Sequence, residues 1–282
     1  MTLRANLGGV TVGEGCPVAL IGVLNVSPES FYPGSIYRAP DDLLRAAEAM
    51  VEAGARILDV GAMSTAPYLP TRISEAEEAN RLAAAVHLLA TKLGAPISAD
   101  TTRSGPARAA LEAGATIIND VSGLTVDPAM ASLVAKRSAG LIVMASERGG
   151  AEIASPVNLV LGLLDESLRI AREAGVTAER TVVDPGIGFF RRQRLPWSEW
   201  DIAVLANLRP LHALGRPLCV GVSRKSFLGA ILGQDDPRDR LPGSLAATAL
   251  AVVNGAHLIR THDVAETCQA VRVAEAIKGR ER

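Results

Sequence analysis

The stretch EAGARILDV (Glu52–Val60) decides the fold, because its pattern recurs three more times along the chain. It joins the end of a helix-like segment to a glycine suited to the left-handed backbone that closes a helix, and then to a hydrophobic run that stops at a polar residue. The hydrophobic runs do not alternate with polar residues, which predicts strands buried on both faces of a parallel sheet. The other copies are EAGATIIND (Glu112–Asp120), RSAGLIVMAS (Arg137–Ser146) and NGAHLIRTHD (Asn254–Asp263), and the predicted helix-closing residues are Gly54, Gly114, Gly140 and Gly255.

Less regular hydrophobic runs elsewhere raise the number of predicted strands to eight, with helix-like segments between them. Eight such units in 282 residues predict an α/β fold, a (β/α)8 TIM barrel that forms a single domain over residues 1–282. Residues 1–15 precede the first barrel strand, and we predict that they form a hairpin closing the barrel floor. The predicted strands are Val18–Leu24, Arg56–Val60, Pro96–Ala99, Thr116–Ile118, Leu141–Met144, Thr181–Val183, Pro217–Val222 and His257–Ile259.

Polar side chains follow seven of the eight predicted strands, and Ser146 lies just beyond the remaining one. In a barrel the carboxyl ends of the strands converge on one mouth, where enzymes of this fold place their active sites. An open doubly wound sheet would spread the same residues along an edge, so the barrel is the better interpretation. The strand-end residues are Asn25, Asp59, Asp100, Asn119, Asp184, Ser223–Lys225 and Arg260–His262.

The composition argues against several classes of protein. The formal net charge is −1 and the hydrophobic content is 48%, which gives no general attraction to nucleic acid or to an anionic membrane. The chain lacks both an apolar run of about 18 residues and the basic-then-apolar layout of a signal peptide. Its cysteines, Cys16, Cys219 and Cys268, are widely spaced and suggest neither a disulfide framework nor a zinc site. We expect a cytoplasmic protein that binds small molecules, with no nucleic-acid or membrane partner.

Seven segments at or near the strand ends resemble the dihydropteroate synthase family, in that family's order and along nearly the whole chain. The most specific are DPGIGF, SRKSFLG and RTHDV. The resemblance implies a pterin-binding barrel of the same fold that the repeats predict. The segments are IGVLNVSPESF (Ile21–Phe31), DVGAMSTAP (Asp59–Pro67), ISADTTR (Ile97–Arg103), IINDVSG (Ile117–Gly123), VVDPGIGF (Val182–Phe189), GVSRKSFLG (Gly221–Gly229) and LIRTHDV (Leu258–Val264).

The resemblance also implies a reaction of folate biosynthesis. In it, 6-hydroxymethyl-7,8-dihydropterin pyrophosphate loses pyrophosphate, and the amine of 4-aminobenzoate captures the resulting methylene cation to give 7,8-dihydropteroate. The protein must therefore recognise the edge of a flat ring, hold a charged leaving group and shield a cation from water. A magnesium ion and a homodimer belong to the same expectation.

On this resemblance, four strand-end residues are expected to bind the pterin. A buried carboxylate can accept two neighbouring N–H groups of the pterin edge, and Asp184 is the candidate for that role. Asn119 offers both a donor and an acceptor, and Asp100 adds a second carboxylate that favours positive charge on the ring. Lys225 is expected to reach the pterin carbonyl. Asp59 and Asp120 are interpreted instead as structural residues that bond within turns.

The leaving group calls for positive charge and for Mg2+, which needs only one or two protein ligands. Asn25 is the expected metal ligand and also a pyrophosphate contact. Arg260 and His262 leave one strand end two residues apart, so both are expected to face the pyrophosphate. Asp100, Lys225, Arg260 and His262 are the expected catalytic residues.

Two long loops, Val26–Pro40 and Met63–Ile73, are expected to close over the bound substrate and to complete the aminobenzoate pocket. This sequence departs from the family pattern there: Ala66 replaces a basic residue and Pro33 replaces an acid. After strand six, Phe190-Arg191-Arg192 replaces a glycine and a lysine-like residue. Arg72, Arg191 or Arg192 is the candidate source of the missing charge. The residues expected to contact 4-aminobenzoate are Phe31, Thr65, Pro67 and Ser223.

Two alternatives remain open from sequence alone. Methyltransferases that move a methyl group from methyl-tetrahydrofolate to a corrinoid share the pterin-binding barrel, but they have no use for a pyrophosphate site. A non-catalytic pterin-binding homologue is the other alternative, because the loops near the aminobenzoate pocket are altered.

Overall fold

The computed structural model describes residues 3–27, 34, 37, 39–63, 73–147 and 155–279. Strands and helices alternate along this part of the chain after an initial strand pair. The strands are β1 (Arg4–Leu7), β2 (Val10–Gly13), β3 (Ala19–Asn25), β4 (Ala55–Gly61), β5 (Ile97–Asp100), β6 (Ile117–Asp120), β7 (Gly140–Met144), β8 (Thr181–Asp184), β9 (Cys219–Val220) and β10 (Leu258–Thr261). The α-helices are α1 (Pro40–Glu52), α2 (Glu75–Lys92), α3 (Ser104–Ala113), α4 (Ala129–Arg137), α5 (Pro156–Glu173), α6 (Trp197–Ala206), α7 (Ser226–Leu232), α8 (Leu241–Val253) and α9 (Val264–Lys278).

Strands β3 to β10 form an eight-stranded parallel sheet in the order β8-β7-β6-β5-β4-β3-β10-β9. A parallel bridge between Val183 and Leu218 brings the two ends of this order together, and Val183 N donates to the Pro217 carbonyl at 3.0 Å. The predicted TIM barrel and its eight strands are therefore confirmed. Strand β9 is shorter than predicted because Pro217 has no N–H for the ladder and the backbone turns after Val222, where Lys225 N donates to the Val222 carbonyl.

The barrel floor is covered by the antiparallel pair β1–β2. Leu7, Val10 and Val12 of this pair belong to the same buried cluster as apolar residues of the barrel strands. The remaining members of that cluster are Ala5, Ala19, Ile21, Ile57, Ile117, Ile142, Val182, Cys219 and Leu258. Cys219 is thus a core residue, as the sequence indicated.

The glycine pattern of the repeats holds at three of its four positions. Gly54, Gly114 and Gly255 have φ values of 110°, 117° and 110°, as the left-handed end of a helix requires. The prediction for Gly140 is wrong, because Ser138 takes the left-handed position with φ 53° and Gly140 begins β7. Gly140 serves packing instead: a Cβ there would lie 2.9 Å from Cδ2 of Leu7, so glycine lets the floor hairpin approach the strand.

Strand periodicity places a polar layer directly above this apolar interior. Alternate residues of a strand point to the same face, so a residue two positions beyond an interior residue also points inward, one layer nearer the mouth. Asp59 follows Ile57, Asn119 follows Ile117, Asp184 follows Val182 and Arg260 follows Leu258 in this way. The fold therefore concentrates charged and amide side chains in one ring. Among the described residues, no helix is both long and apolar enough to cross a membrane.

Candidate active site

A network of two carboxylates, one guanidinium and one amide occupies the centre of the barrel mouth. Arg260 donates from Nε to Asp59 Oδ2 at 2.6 Å and from Nη2 to Asp100 Oδ2 at 2.8 Å. Asn119 Nδ2 donates to the same oxygen of Asp59 at 3.0 Å. The side chains of Asp59 and Asp100 are 0% and 6% exposed, whereas that of Arg260 is 23% exposed and opens toward the mouth.

Burial and charge act against each other in this network. Burial raises the pKa of Asp100 to about 7; Arg260 opposes that change, and the negative charge of Asp59 adds to it. Burial alone would lower the pKa of Arg260, but the carboxylates of Asp59 and Asp100 outweigh it and raise the pKa above its usual range. Arg260 therefore stays charged, while Asp100 exchanges its proton near neutral pH.

The second oxygens of these two acids are available to a ligand. Oδ1 of Asp59 and Oδ1 of Asp100 are buried, and neither has a hydrogen-bond partner within the part of the chain that the structure describes. A buried carboxylate oxygen is costly to leave unpaired. Both atoms therefore suit a ligand that brings N–H donors into the barrel mouth.

Asp184 and Lys225 form a second charged region of the mouth. Asp184 Oδ1 accepts a hydrogen bond from Gly186 N at 2.8 Å. Burial raises the pKa of Asp184, and Gly186 N–H, Lys225 and Arg260 oppose the rise. Lys225 donates from Nζ to the Ile187 carbonyl, and burial lowers its pKa to about 8 against the opposing effect of Asp184.

His262 has a defined hydrogen-bond partner in Ser223. The His262 backbone N donates to Ser223 Oγ at 3.3 Å, and Oγ lies 2.9 Å from His262 Nδ1. The same hydroxyl lies 3.5 Å from Asp263 Oδ2, a second acceptor for its proton, so Ser223 contacts both the backbone and the ring of His262 and the next residue of the loop. Burial, with Arg260, Arg224 and Lys225, lowers the pKa of His262 to about 3. His262 is therefore a neutral N–H donor in the unliganded mouth.

Arg224 connects the loop that precedes Lys225 to the loop that carries His262. This residue has φ 55° and is buried. Its Nε and Nη2 donate to Asp263 Oδ2 and Oδ1 at 2.8 and 2.7 Å, a bidentate pair. A positive φ is unfavourable for a residue with a side chain, and the ion pair with Asp263 offsets this cost. The same pair fixes the β9–α7 loop to the β10–α9 loop.

Asn25 ends β3 close to Asp100. Gly61 lies between them: a Cβ at Gly61 would come 3.3 Å from Asn25 Oδ1 and 3.9 Å from Asp100 Oδ2. This leaves a small space bordered by hard oxygen donors, which suits Mg2+. No cluster of three or more His, Cys, Asp and Glu side chains with metal-binding geometry occurs in the described ranges, and Mg2+ bound largely through substrate phosphates needs none.

Arg103 joins the two sides of the second long loop at the edge of the mouth. It donates from Nη2 to Met63 Sδ at 2.9 Å and from Nη1 to the Ile73 carbonyl at 3.1 Å. Its Nε pairs at 2.7 Å with Glu78, a buried acid that also accepts from Thr101 Oγ1 at 2.6 Å. The strand end that carries Asp100 is thus connected to both ends of residues 64–72.

The structure brings most of the predicted residues together, with one regrouping. Arg260 contacts Asp100, which was expected to bind pterin, and Asp59, which was not. His262 pairs with Ser223, the residue expected beside aminobenzoate. Three predicted aminobenzoate contacts, Phe31, Thr65 and Pro67, lie outside the described residues, as does Arg72.

Sequence reasoning missed Asp59. It was interpreted as a turn residue, but it joins Arg260 to Asn119 inside the barrel mouth. Its position two residues after Ile57 was the available signal, because the other inward-facing polar residues share that spacing. Asp120 does bond within a turn, since its Oδ1 accepts from Ser122 N and Ser122 Oγ at 2.6 Å each.

Known proteins share this fold and this order of residues. The family model described as "Pterin binding enzyme" matches residues 21–262. A dihydropteroate synthase of Synechocystis is 38% identical over 265 residues, which cover 92% of this chain and 89% of the relative. The crystal structure of Yersinia pestis dihydropteroate synthase with a sulfonamide drug superposes with a TM-score of 0.88 at 30% identity and covers 98% of this chain and 99% of that one. The structure of Xanthomonas albilineans dihydropteroate synthase with 4-aminobenzoic acid gives a TM-score of 0.86 at 32% identity and covers 99% of each chain.

Proposed function

The chain belongs to the pterin-binding enzyme family as one of its dihydropteroate synthases, and from this premise we propose how its residues divide the reaction. The enzyme is a transferase of folate biosynthesis that condenses 6-hydroxymethyl-7,8-dihydropterin pyrophosphate with 4-aminobenzoate. The bond between the methylene carbon and the pyrophosphate oxygen breaks, the aminobenzoate nitrogen bonds to that carbon, and the nitrogen releases a proton. The products are 7,8-dihydropteroate and pyrophosphate.

We assign pterin binding to Asp100, Asn119, Asp184 and Lys225, and we add Asp59. The observation that carries this assignment is the pair of buried, unpartnered Oδ1 atoms of Asp59 and Asp100 among the described residues. The pterin edge brings adjacent N–H donors, which suit such acceptors. Asp184 supplies a further buried carboxylate, and Lys225 supplies a cation for the pterin carbonyl. The carboxylates also favour positive charge on the pterin as the leaving group departs.

We assign the pyrophosphate to Asn25, Arg260 and His262. His262 is a neutral imidazole with one ring N–H to donate, and Arg260 keeps its charge because two acids hold its guanidinium. Asn25 would hold Mg2+ through Oδ1, in the oxygen-bordered space beside Gly61. Bound there, Mg2+ would offset the negative charge that develops on the leaving pyrophosphate.

The acceptor 4-aminobenzoate is proposed to lie beside Ser223, with Phe31, Thr65 and Pro67 from the long loops. Its amine must reach the methylene carbon before water does, so enclosure by these loops is part of the proposal. We also propose that the enzyme acts in the cytoplasm as a homodimer. Exposed apolar side chains on α7, α8 and α9 support an association surface, and they are Ile231, Leu232, Leu250, Val273 and Ile277.

The test is product formation by the purified enzyme. The dihydropterin pyrophosphate, 4-aminobenzoate and Mg2+ should yield dihydropteroate and pyrophosphate in equal amounts, and chelation of Mg2+ should suppress both. A parallel incubation with methyl-tetrahydrofolate and a corrinoid should give no methyl transfer. Pterin binding without product under all these conditions would favour the non-catalytic alternative, and corrinoid methylation would favour the methyltransferase.

A further inference from the structure

Lys225 rests on three consecutive residues, Ile187 to Phe189, which we call the platform. Its Nζ donates to the Ile187 carbonyl and lies 4.5 Å from the centre of the Phe189 ring. Gly188 between them has φ 86°, and a Cβ there would lie 2.7 Å from Cδ of Lys225. The lysine stem therefore packs on bare backbone, and the position of its ammonium group depends on the conformation of the platform.

Asp201 of α6 holds the middle of the platform. It is 0% exposed, and its Oδ1 accepts a hydrogen bond from Gly188 N at 2.7 Å. Its Oδ2 is buried without a hydrogen-bond partner anywhere in the described part of the chain. A buried carboxylate in this condition is costly unless a nearby positive charge compensates for it. The charges that favour its ionised form are those of Lys225 and Arg191.

The backbone beyond the platform has its own supports. Phe190 stacks on Trp200 with ring centres 5.0 Å apart. Glu147 accepts hydrogen bonds from Arg191 N at 3.0 Å and from Arg192 N at 2.9 Å. These contacts already fix the residues that follow the platform. A neutral acceptor at position 201 would therefore be enough to hold the turn, and the negative charge of Asp201 needs another explanation.

We propose that Asp201 is a positioning residue for Lys225, which holds the platform through Gly188 and places a second negative charge, besides that of Asp184, beside the ammonium group. The role of Lys225 toward pterin rests on the proposed function, but the coupling of Asp201 to Lys225 does not. Asp201 acts through Gly188 of the platform.

The charges around Lys225 decide the sign of the expected effect. Asp184 on β8 and Asp201 on α6 stabilise its protonated form, while burial, Arg260 on β10 and Arg191 after the platform oppose that form. His262 on the β10–α9 loop is neutral here. Removal of the Asp201 charge should therefore lower the pKa of Lys225 from its value of about 8 and leave the lysine less protonated at pH 7.5.

The direct test measures the titration of Lys225 without any substrate. The wild type and Asp201→Asn are labelled with an amine-reactive anhydride from pH 6 to 10, and the peptide containing Lys225 is quantified by mass spectrometry. An asparagine oxygen can still accept from Gly188 N, so this variant removes charge and keeps the hydrogen bond. The Lys225 titration midpoint should fall by about 1 pH unit. Glu199→Gln, an exposed site on the same helix, should leave it unchanged.

A second measurement follows turnover against pH. In Asp201→Asn, kcat/KM should match the wild type within about twofold at pH 6.5, and its alkaline decline should begin at lower pH. Asp201→Ala, which also loses the Gly188 bond, should lower kcat/KM about tenfold or more at every pH. An unchanged Lys225 titration in both neutral variants overturns the proposal. Because the labelling needs no substrate, it tests the coupling of Asp201 to Lys225 even if the assignment of Lys225 to pterin is wrong.

Discussion

Arg260 donates from Nε to Oδ2 of Asp59 at 2.6 Å, although 201 positions separate the two residues in sequence. The contact joins the last strand of the barrel to its second strand, across β3. Asp59 is completely buried, and Arg260 provides the positive charge that a buried carboxylate requires beside it. Arg260 consequently supports the proposed pterin site as well as the proposed pyrophosphate site.

Arg260→Ala should therefore reduce stability as well as activity. Breaking a buried ion pair leaves an uncompensated charge, so the free energy of unfolding should fall by about 3 kcal/mol. Urea denaturation followed by circular dichroism measures this. Arg238→Ala, which removes an arginine whose ion pair with Asp236 is exposed, should change stability by less than about 0.5 kcal/mol. Equal losses in the two variants would contradict a structural role for the Arg260 network.

Asp184→Asn should weaken pterin binding by about 10- to 1000-fold, because a charge-assisted bidentate pair contributes about 1.5–4 kcal/mol. The asparagine oxygen can still accept from Gly186 N, so the fold should survive. Calorimetry with a pterin analogue is the measurement. Asp120→Asn is the matched control, since that acid ends β6, on the other side of β7 from Asp184, but bonds to Ser122. If Asp184→Asn keeps the wild-type affinity, Asp184 is a turn residue.

His262→Ala tests the pyrophosphate assignment more cleanly than Arg260→Ala, because His262 bonds to Ser223, whereas Arg260 bonds to Asp59 and Asp100. Loss of its ring N–H donor should lower kcat about 10- to 100-fold. Affinity for a pterin without pyrophosphate should stay within about twofold. Ser223→Ala, which removes the partner of Nδ1, should give a smaller loss of the same kind. A variant that loses pterin affinity yet keeps normal turnover at saturation would overturn the assignment.

Asp100 should make stability depend on pH. Its pKa is about 7 in the folded protein and near 4 in the unfolded chain, so between these values the folded state binds the extra proton. The contribution of Asp100 to the free energy of unfolding therefore falls as pH rises from about 4 to about 7. Asparagine does not titrate, so Asp100→Asn lacks this pH dependence. The free energy of unfolding of the wild type, measured relative to that of Asp100→Asn, should fall by at least about 1 kcal/mol between pH 4 and pH 7 and stay constant at higher pH. Denaturation at closely spaced pH values gives the slope, and a constant difference would argue against the raised pKa.

The sequence predicted the barrel and the composition of its mouth because both depend on local patterns. A buried strand that ends in Asp100 or Asn119 can be recognised from a short local stretch of sequence. Closure of the barrel alone then brings such strand ends together. Contacts between distant strand ends were not visible: the pairing of Arg260 with Asp59 depends on strand order, and that of Ser223 with His262 depends on two loops tied by Arg224. Gly140 was misassigned because glycine fits both a helix end and close packing, and only the position of Leu7 distinguishes them.

The altered loops make the aminobenzoate site the part of the reaction that most needs a solution measurement. Phe31, Thr65, Pro67 and Ala66 lie outside the described residues, although Arg103 ties both flanks of residues 64–72 to the strand end carrying Asp100. A methylene cation that meets water is quenched, so the acceptor pocket should be complete only when pterin and pyrophosphate sites are filled.

Aminobenzoate should therefore bind the wild-type enzyme well only after pyrophosphate and Mg2+ are present. Calorimetry is performed with the enzyme alone, with pyrophosphate and Mg2+, and with a pterin analogue in addition; affinity should rise at least about tenfold between the first and last conditions. Arg103→Ala should reduce that gain, since Met63 and Ile73 lose their common partner, and Arg45→Ala on α1, with its exposed ion pair, should not. Equal aminobenzoate affinity in all three conditions would exclude ordered binding. Absence of binding in every condition would favour the methyltransferase or the non-catalytic alternative.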